Sequence, residues 1–142
     1  LTEILEEAKN ADVLLLGSPM YFGDVTGMMR NFIERFLFPT LTYSKDMHRL
    51  YTKKVKVGLV YTYNAPAETY TQYMQGQCAI FNGMIGPCEY VFASETLQFT
   101  DYSKYDADMF DPKQRWDRHE NVFPEDCKNA YEMGKRLAEM EI

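Results

Sequence analysis

The chain has 142 residues and a formal net charge of −6, a length typical of one domain. Hydrophobic residues make up 46% and aromatic residues 15%, which is enough to build a sizeable core. Because the balance is acidic and no basic stripe is present, neither nucleic acid nor an anionic membrane surface is an expected partner. Apolar runs such as Val13–Leu16 are far shorter than a membrane span.

The cysteines and histidines favour neither a disulfide framework nor a metal site. Cys78, Cys88 and Cys127 are odd in number and widely spaced, whereas both kinds of site use closer or paired cysteines. Two histidines are too few for a histidine cluster. We therefore expect no metal site, and buried, reduced cysteines in a cytoplasmic protein.

The first half of the chain predicts a helix, a strand and a second helix. Apolar residues at helical spacing predict a helix over 1–10. A continuous apolar strand over 12–16 follows, as in strands whose two faces are both covered. The Gly17-Ser18-Pro19 sequence predicts a sharp turn. A helix is then expected over 26–38, with Thr26 as its N-cap.

The second half continues the alternation of strands and helices. A β-branched, apolar strand is predicted over 55–62, a helix over 67–82 and a third strand over 89–93. Residues 94–123 are polar and aromatic without a clear period, so we expect a long loop there. The last helix begins at Pro124, a favourable first helical residue.

This order predicts an α/β fold with a doubly wound parallel sheet in a three-layer α/β/α arrangement. Three strands joined by right-handed crossovers would leave one parallel edge of the sheet open. The helical stripe is also already under way at Leu1. We therefore expect residues 1–142 to form a single domain that is the C-terminal portion of a larger encoded domain, with the first strands missing.

The segment 18–23 is the strongest candidate for a ligand site. It is a polar, aromatic loop at the carboxyl end of a strand, where open α/β sheets bind their ligands. It contains no acid, base or nucleophile, so we predict no catalytic side chain and assign the chemistry to a bound cofactor with a flat ring. The alternative is an ordinary loop whose aromatic residues fold back onto the core.

The run Gly17–Gly23, together with Thr26, Arg30, Phe32 and the Glu34-Arg35 pair, resembles the NAD(P)H-dependent FMN reductase family of the flavodoxin-like superfamily. Residues 61–64 fit the same family, and residues 98–105 and 123–124 resemble a subgroup close to iron–sulfur flavoproteins. The resemblance implies a flavodoxin-like fold that binds FMN. The cofactor-binding residues that it implies are Ser18, Pro19, Met20, Tyr21, Phe22 and Gly23 in one loop, and Thr62, Tyr63 and Asn64 in a second.

The resemblance also implies an oxidoreductase activity. Hydride would pass from NAD(P)H, the cosubstrate, to bound FMN and then as electrons to a second, small-molecule acceptor. A homodimer or higher homo-oligomer is expected, because related proteins often complete the flavin pocket with a second subunit. The family's phosphate-binding segment is absent from these residues, as is a cysteine cluster that would hold an iron–sulfur centre.

Two further interpretations remain open at this point. The chain could be a flavodoxin-like electron carrier that binds FMN but has no nicotinamide site. Alternatively, the fold could serve an interaction role, with the aromatic loop packed against another subunit.

Overall fold

The computed structural model describes residues 1–46, 48, 50 and 53–142. Short 3-10 turns lie at Phe38–Thr40, Ala67–Tyr70 and Tyr102–Lys104. The helices and strands of the described residues are, in chain order, α1 (Thr2–Asn10), β1 (Val13–Tyr21), β2 (Asp24–Val25), α2 (Gly27–Leu37), β3 (Lys56–Tyr63), α3 (Thr71–Met84), β4 (Cys88–Ser94), α4 (Pro112–Asn121) and α5 (Phe123–Glu139). None of these helices is both long and apolar enough to cross a membrane.

The strands form one sheet in the order β2-β1-β3-β4. β1, β3 and β4 are parallel, and the register pairs Ser18 with Tyr61 and Tyr63 with Ser94. β2 is antiparallel to β1 and pairs only with its last two residues. The predicted α/β class with a parallel sheet is confirmed. Because the three parallel strands end at the same edge, the loops that follow them lie close together.

Helices cover the sheet on two faces, which makes three layers. On one face, Leu59 and Tyr61 of β3 are buried in a core that includes Phe36 of α2 and Phe81 of α3. On the other face, α5 packs against β3 and β4, and its Leu137 side chain lies beside the backbone of β3. Burial of both faces of β3 explains its continuous apolar sequence.

The predicted turn at Gly17-Ser18-Pro19 is wrong, because β1 continues through these residues to Tyr21. Ser18 and Pro19 both pair with β3. A proline is tolerated in a strand where no neighbouring strand needs a hydrogen bond from its backbone nitrogen. This condition is met on the β2 side of Pro19, because β2 pairs with β1 only beyond that residue. The reversal comes later, at Phe22 and Gly23, and leads directly into β2.

The predicted long loop over 94–123 is also wrong in part, because α4 lies inside it. Asp111 caps that helix by accepting hydrogen bonds from the backbone N–H groups of Lys113 and Gln114, and Pro112 occupies the first turn. An Asp-Pro pair is a recognisable helix start. The helix itself is strongly polar and buries only Arg115, so it has no apolar stripe by which to predict it. That residues 1–142 belong to a larger domain stays a prediction.

Candidate functional site

A cavity of about 490 Å³ lies beyond the carboxyl ends of the three parallel strands. This volume falls in the range of about 300–1,000 Å³ that is typical of small-molecule sites. We call it the three-loop pocket. The end of β1 and the turn after it, here called the first loop, contribute Pro19, Met20, Tyr21 and Phe22. The end of β3 and the residues after it, the second loop, contribute Thr62, Tyr63, Asn64 and Ala65. The residues after β4, the third loop, contribute Thr96, Leu97 and Gln98, and Tyr70 completes the wall.

Most of the residues predicted from the sequence meet in this pocket. The two loops named above lie side by side because β1 and β3 are hydrogen-bonded neighbours. Ser18 and Gly23 are not among the lining residues. The predicted residues that do line the pocket are Pro19, Met20, Tyr21, Phe22, Thr62, Tyr63 and Asn64.

The aromatic side chains of the first loop point away from the core. Tyr21 is 62% exposed and Phe22 is fully exposed, so the alternative in which these rings fold back onto the core is wrong. Phe22 has a φ of 54° and Gly23 a φ of 85°. A left-handed conformation is unfavourable for a residue with a Cβ, and such strain is concentrated at functional sites. The turn therefore presents a large ring to the pocket at a conformational cost.

Ser18 holds the first loop against the start of α2. Its Oγ accepts a hydrogen bond of 3.1 Å from the backbone N–H of Thr26 and donates one of 2.8 Å to the Pro19 carbonyl oxygen. Thr26 in turn caps α2, because its Oγ1 accepts from the backbone N–H of Met29 at 3.3 Å. The predicted N-cap is thus confirmed. Ser18 lies at a position that fixes the loop, and its role as a direct cofactor contact stays a prediction.

A second anchor joins the far side of the same loop to two helices. Asp24, in β2, accepts hydrogen bonds from the Arg30 guanidinium and from the Tyr73 hydroxyl. Arg30 also donates to the Tyr73 oxygen at 2.7 Å. The hairpin after Phe22 is therefore tied to α2 and α3 through one network of polar side chains.

This network changes the acidity of its members. Burial by itself would raise the pKa of Asp24, but hydrogen bonds from Arg30, Tyr73 and the Val25 N–H outweigh it and hold that pKa below its usual value. Burial, and then the hydrogen bond to Asp24, raises the pKa of Tyr73 to about 12. At neutral pH the anchor therefore contains an ionised Asp24 and a protonated Tyr73.

The second loop is fixed by Tyr63 and carries an unpaired acceptor. The Tyr63 hydroxyl donates to the Ala67 carbonyl oxygen at 2.7 Å, and its ring packs edge-on against Tyr70 at 5.0 Å. Burial raises the pKa of Tyr63 to about 12. Asn64 donates through Nδ2 to Gln98 Oε1 at 3.3 Å, whereas its buried Oδ1 has no hydrogen-bond partner among the described residues.

The third loop is a part of the site that the sequence prediction missed. Glu95 has a φ of 51° and pairs with Arg115 of α4 at 3.2 Å, and Arg118 donates to Ser94 Oγ at 3.1 Å. Arg118 also pairs with Asp126 of α5 at 3.0 Å. Two arginines of α4 thus hold the end of β4 and the start of the loop. The sequence signal that could have placed this loop in the site was its position directly after the third parallel strand.

The chemical character of the pocket is neutral and hydrogen-bonding. Its lining contains hydroxyls and amides, from Thr62, Thr96, Asn64 and Gln98, together with aromatic rings. None of its described lining residues is an Asp, Glu, Lys, Arg or His. Such a site can bind and orient a flat heterocycle, but it offers no strong acid or base for proton transfer.

The buried Oδ1 of Asn64 is the observation that tests whether a flavin fits. A buried polar atom without a partner is costly, so it points to a donor that is supplied by a ligand. The isoalloxazine ring carries both an N–H donor and carbonyl acceptors along one edge, and its flat surface suits the rings of Tyr21 and Phe22. The residues present therefore fit this group. Within the described residues, no group of three or more His, Cys, Asp or Glu side chains could hold a metal ion.

Comparison with known proteins is consistent with this geometry. A family model described as a flavodoxin-like fold matches residues 1–111, which include all three loops of the pocket. The chain belongs to this flavodoxin-like family. The family resemblance inferred from Gly17–Gly23 is confirmed.

A curated relative gives a shorter match. The iron-sulfur flavoprotein of Archaeoglobus fulgidus is 33% identical over 57 residues, which is 40% of this chain. The chain covers only 28% of the length of that relative. The match therefore supports the flavoprotein family without extending to the whole of the relative.

Proposed function

We propose that the three-loop pocket binds the isoalloxazine ring of FMN and that the chain is part of an NAD(P)H-dependent flavin oxidoreductase. One observation supports this most directly. The exposed rings of Tyr21 and Phe22 lie on the same cavity as the unpaired Asn64 Oδ1. A flat ligand with a polar edge satisfies both features, whereas a purely apolar ligand would leave Oδ1 unpaired.

Each loop has its own role in this proposal. Tyr21 and Phe22 cover one face of the ring and exclude water from it. Asn64 Oδ1 accepts a hydrogen bond from the ring N–H, while the Thr62 hydroxyl and the Gln98 amide bind the polar edge. Pro19, Met20 and Tyr63 form the pocket wall. Ser18 and Gly23 set the conformation of the first loop.

The protein supplies position and environment rather than acid–base catalysis. When bound, FMN supplies the capacity to accept hydride from NAD(P)H and to pass electrons to a second, small-molecule acceptor. The neutral lining keeps full charges away from the ring, and the anchored loops hold its orientation. No proton at a side chain of the pocket needs to move.

We also propose that the protein acts as a homodimer in the cytoplasm. The Phe22 and Met28 side chains are 110% and 87% exposed to solvent. Large exposed apolar side chains of this kind support the packing of a second copy of the chain near the pocket. Sedimentation equilibrium of the chain with and without FMN tests this, and a monomer under both conditions would contradict it.

The reaction is tested by recording the visible spectrum of the FMN-loaded chain before and after anaerobic addition of NADPH. We expect the bands of oxidised flavin to bleach, and faster than those of the same FMN concentration without protein. Dithionite provides the reference for complete reduction. Bands that bleach with dithionite but not with NADPH or NADH would instead favour an electron carrier.

A further inference from the structure

Two cysteines on different elements lie in direct contact. Cys78 is in the middle of α3 and Cys88 is the first residue of β4. Their Sγ atoms are 2.8 Å apart, which is closer than non-bonded sulfur atoms normally approach. A disulfide needs about 2.05 Å, so only a small movement separates the two thiols from a covalent bond. Both are free thiols in the structure.

Both cysteines line a shallow surface cleft of about 430 Å³, in which the Cys78 side chain is 7% exposed. Cys88 is half-buried, and its backbone N–H is fixed by a hydrogen bond of 3.0 Å to Asn82 Oδ1. The other residues of the cleft are Gln75, Ala79, Asn82, Glu89 and Tyr90.

This cleft is separate from the three-loop pocket. Cys88 begins β4, whereas the pocket lies beyond the residue that ends it, Ser94. The cleft and the pocket share no lining residue. Chemistry at the cysteine pair therefore does not depend on a bound flavin.

We propose that Cys78 and Cys88 form a redox-active pair, which hydrogen peroxide converts into a reversible intramolecular disulfide. In the first step the Cys78 thiolate attacks the peroxide; an S–O bond forms, the O–O bond breaks, and the departing hydroxide takes up a proton to give water. In the second step the Cys88 sulfur attacks the sulfenic acid; the S–S bond forms, the S–O bond breaks, and a second water leaves. Two thiols are oxidised by two electrons, and hydrogen peroxide is reduced to two molecules of water.

The surroundings favour Cys78 as the attacking sulfur. The hydrogen-bonding contact between the two sulfur atoms lowers the pKa of Cys78 against the opposing effect of burial, whereas this contact and burial both raise the pKa of Cys88. The sulfur that becomes a thiolate more readily is the better nucleophile at neutral pH. Cys88 then acts as the resolving thiol. The bond would join α3 to β4 directly and close the chain between residues 78 and 88.

Cys127 provides the matched control, because it is an exposed cysteine on α5 outside the cleft. The chain is treated with one equivalent of hydrogen peroxide, alkylated under denaturing conditions and analysed by intact mass. We expect the number of alkylated thiols to fall from three to one in the wild type and from two to none in Cys127→Ser. Peptide mapping should show Cys78 linked to Cys88, and dithiothreitol should restore both thiols.

Two further measurements keep the test decisive. In Cys88→Ser, which lacks the resolving thiol, dimedone should trap the sulfenic acid at Cys78. In the wild type and in Cys127→Ser, the disulfide should raise the urea midpoint of unfolding above that of the reduced protein. Oxidation confined to Cys127, or a chain that keeps both Cys78 and Cys88 alkylatable, would overturn the proposal. Because flavin-free protein is used, the result is independent of whether FMN binds.

Discussion

At the scale of single residues, Phe22 combines a strained backbone with an exposed ring. Its positive φ costs about 1–2 kcal/mol for a residue with a Cβ, whereas glycine adopts it freely. We therefore expect Phe22→Gly to be more stable than Phe22→Ala by about 1 kcal/mol, as measured by urea denaturation. Both variants lose the ring, so both should bind FMN more weakly than the wild type. Equal stability of the two variants would show that this backbone is not strained.

The Asp24 anchor predicts a defined pH dependence. Because the folded pKa of Asp24 is lowered, its contribution to stability is present above the unfolded value of about 3.9 and is lost as the pH falls through the folded value. We expect the wild type to be more stable than Asp24→Asn at neutral pH, and this difference to shrink in acid. Denaturation of both proteins across a pH series measures it. A difference that does not change with pH would contradict the assignment.

At the scale of elements, the turn between α3 and β4 depends on the small size of Gly86. A Cβ on this residue would lie 2.5 Å from the Val55 carbonyl oxygen, which is backbone and cannot easily move. We expect Gly86→Ala to lower the free energy of unfolding by about 1–3 kcal/mol.

Gly76, inside α3, supplies the comparison because a Cβ there meets no atom within 4 Å. Gly76→Ala should raise the free energy of unfolding by about 0.5–1 kcal/mol, since alanine favours a helix interior. Urea denaturation of both variants measures the two effects. Similar stabilities would show that the turn tolerates a displaced Val55.

The sequence predicted the elements whose signals are local. The apolar runs of β1, β3 and β4 and the cap at Thr26 all depend on neighbouring residues, and the structure confirms them. The extension of β1 through Pro19 was missed, because it depends on pairing with β3, which is distant in sequence. α4 was missed because ion pairs to Glu95, after β4, and to Asp126 of α5 hold it in place, rather than an apolar stripe.

At the scale of the whole molecule, topology explains how much of the site could be predicted. The first two loops carry aromatic and amide residues directly after apolar strands, so their place at the carboxyl edge followed from the fold class. The third loop begins beyond β4 and is positioned by Arg115 and Arg118, which lie about 20 residues further along the chain. No local pattern indicates those contacts. Because the third loop lines the pocket, the site is formed at the ends of all three parallel strands.

The central claim is that the three-loop pocket binds flavin through Tyr21 and Phe22. The most direct test is a titration of FMN with the chain, followed by quenching of flavin fluorescence. The control is Phe38→Ala/Tyr131→Ala, which removes two exposed rings of the same kinds outside the pocket.

Aromatic contacts contribute about 0.5–1.5 kcal/mol each, so the loss of both rings should weaken binding about tenfold or more. We therefore expect Tyr21→Ala/Phe22→Ala to raise the Kd by that factor, and the control variant to leave it unchanged. An unchanged Kd in Tyr21→Ala/Phe22→Ala, or the absence of FMN binding by the wild type, would contradict the account.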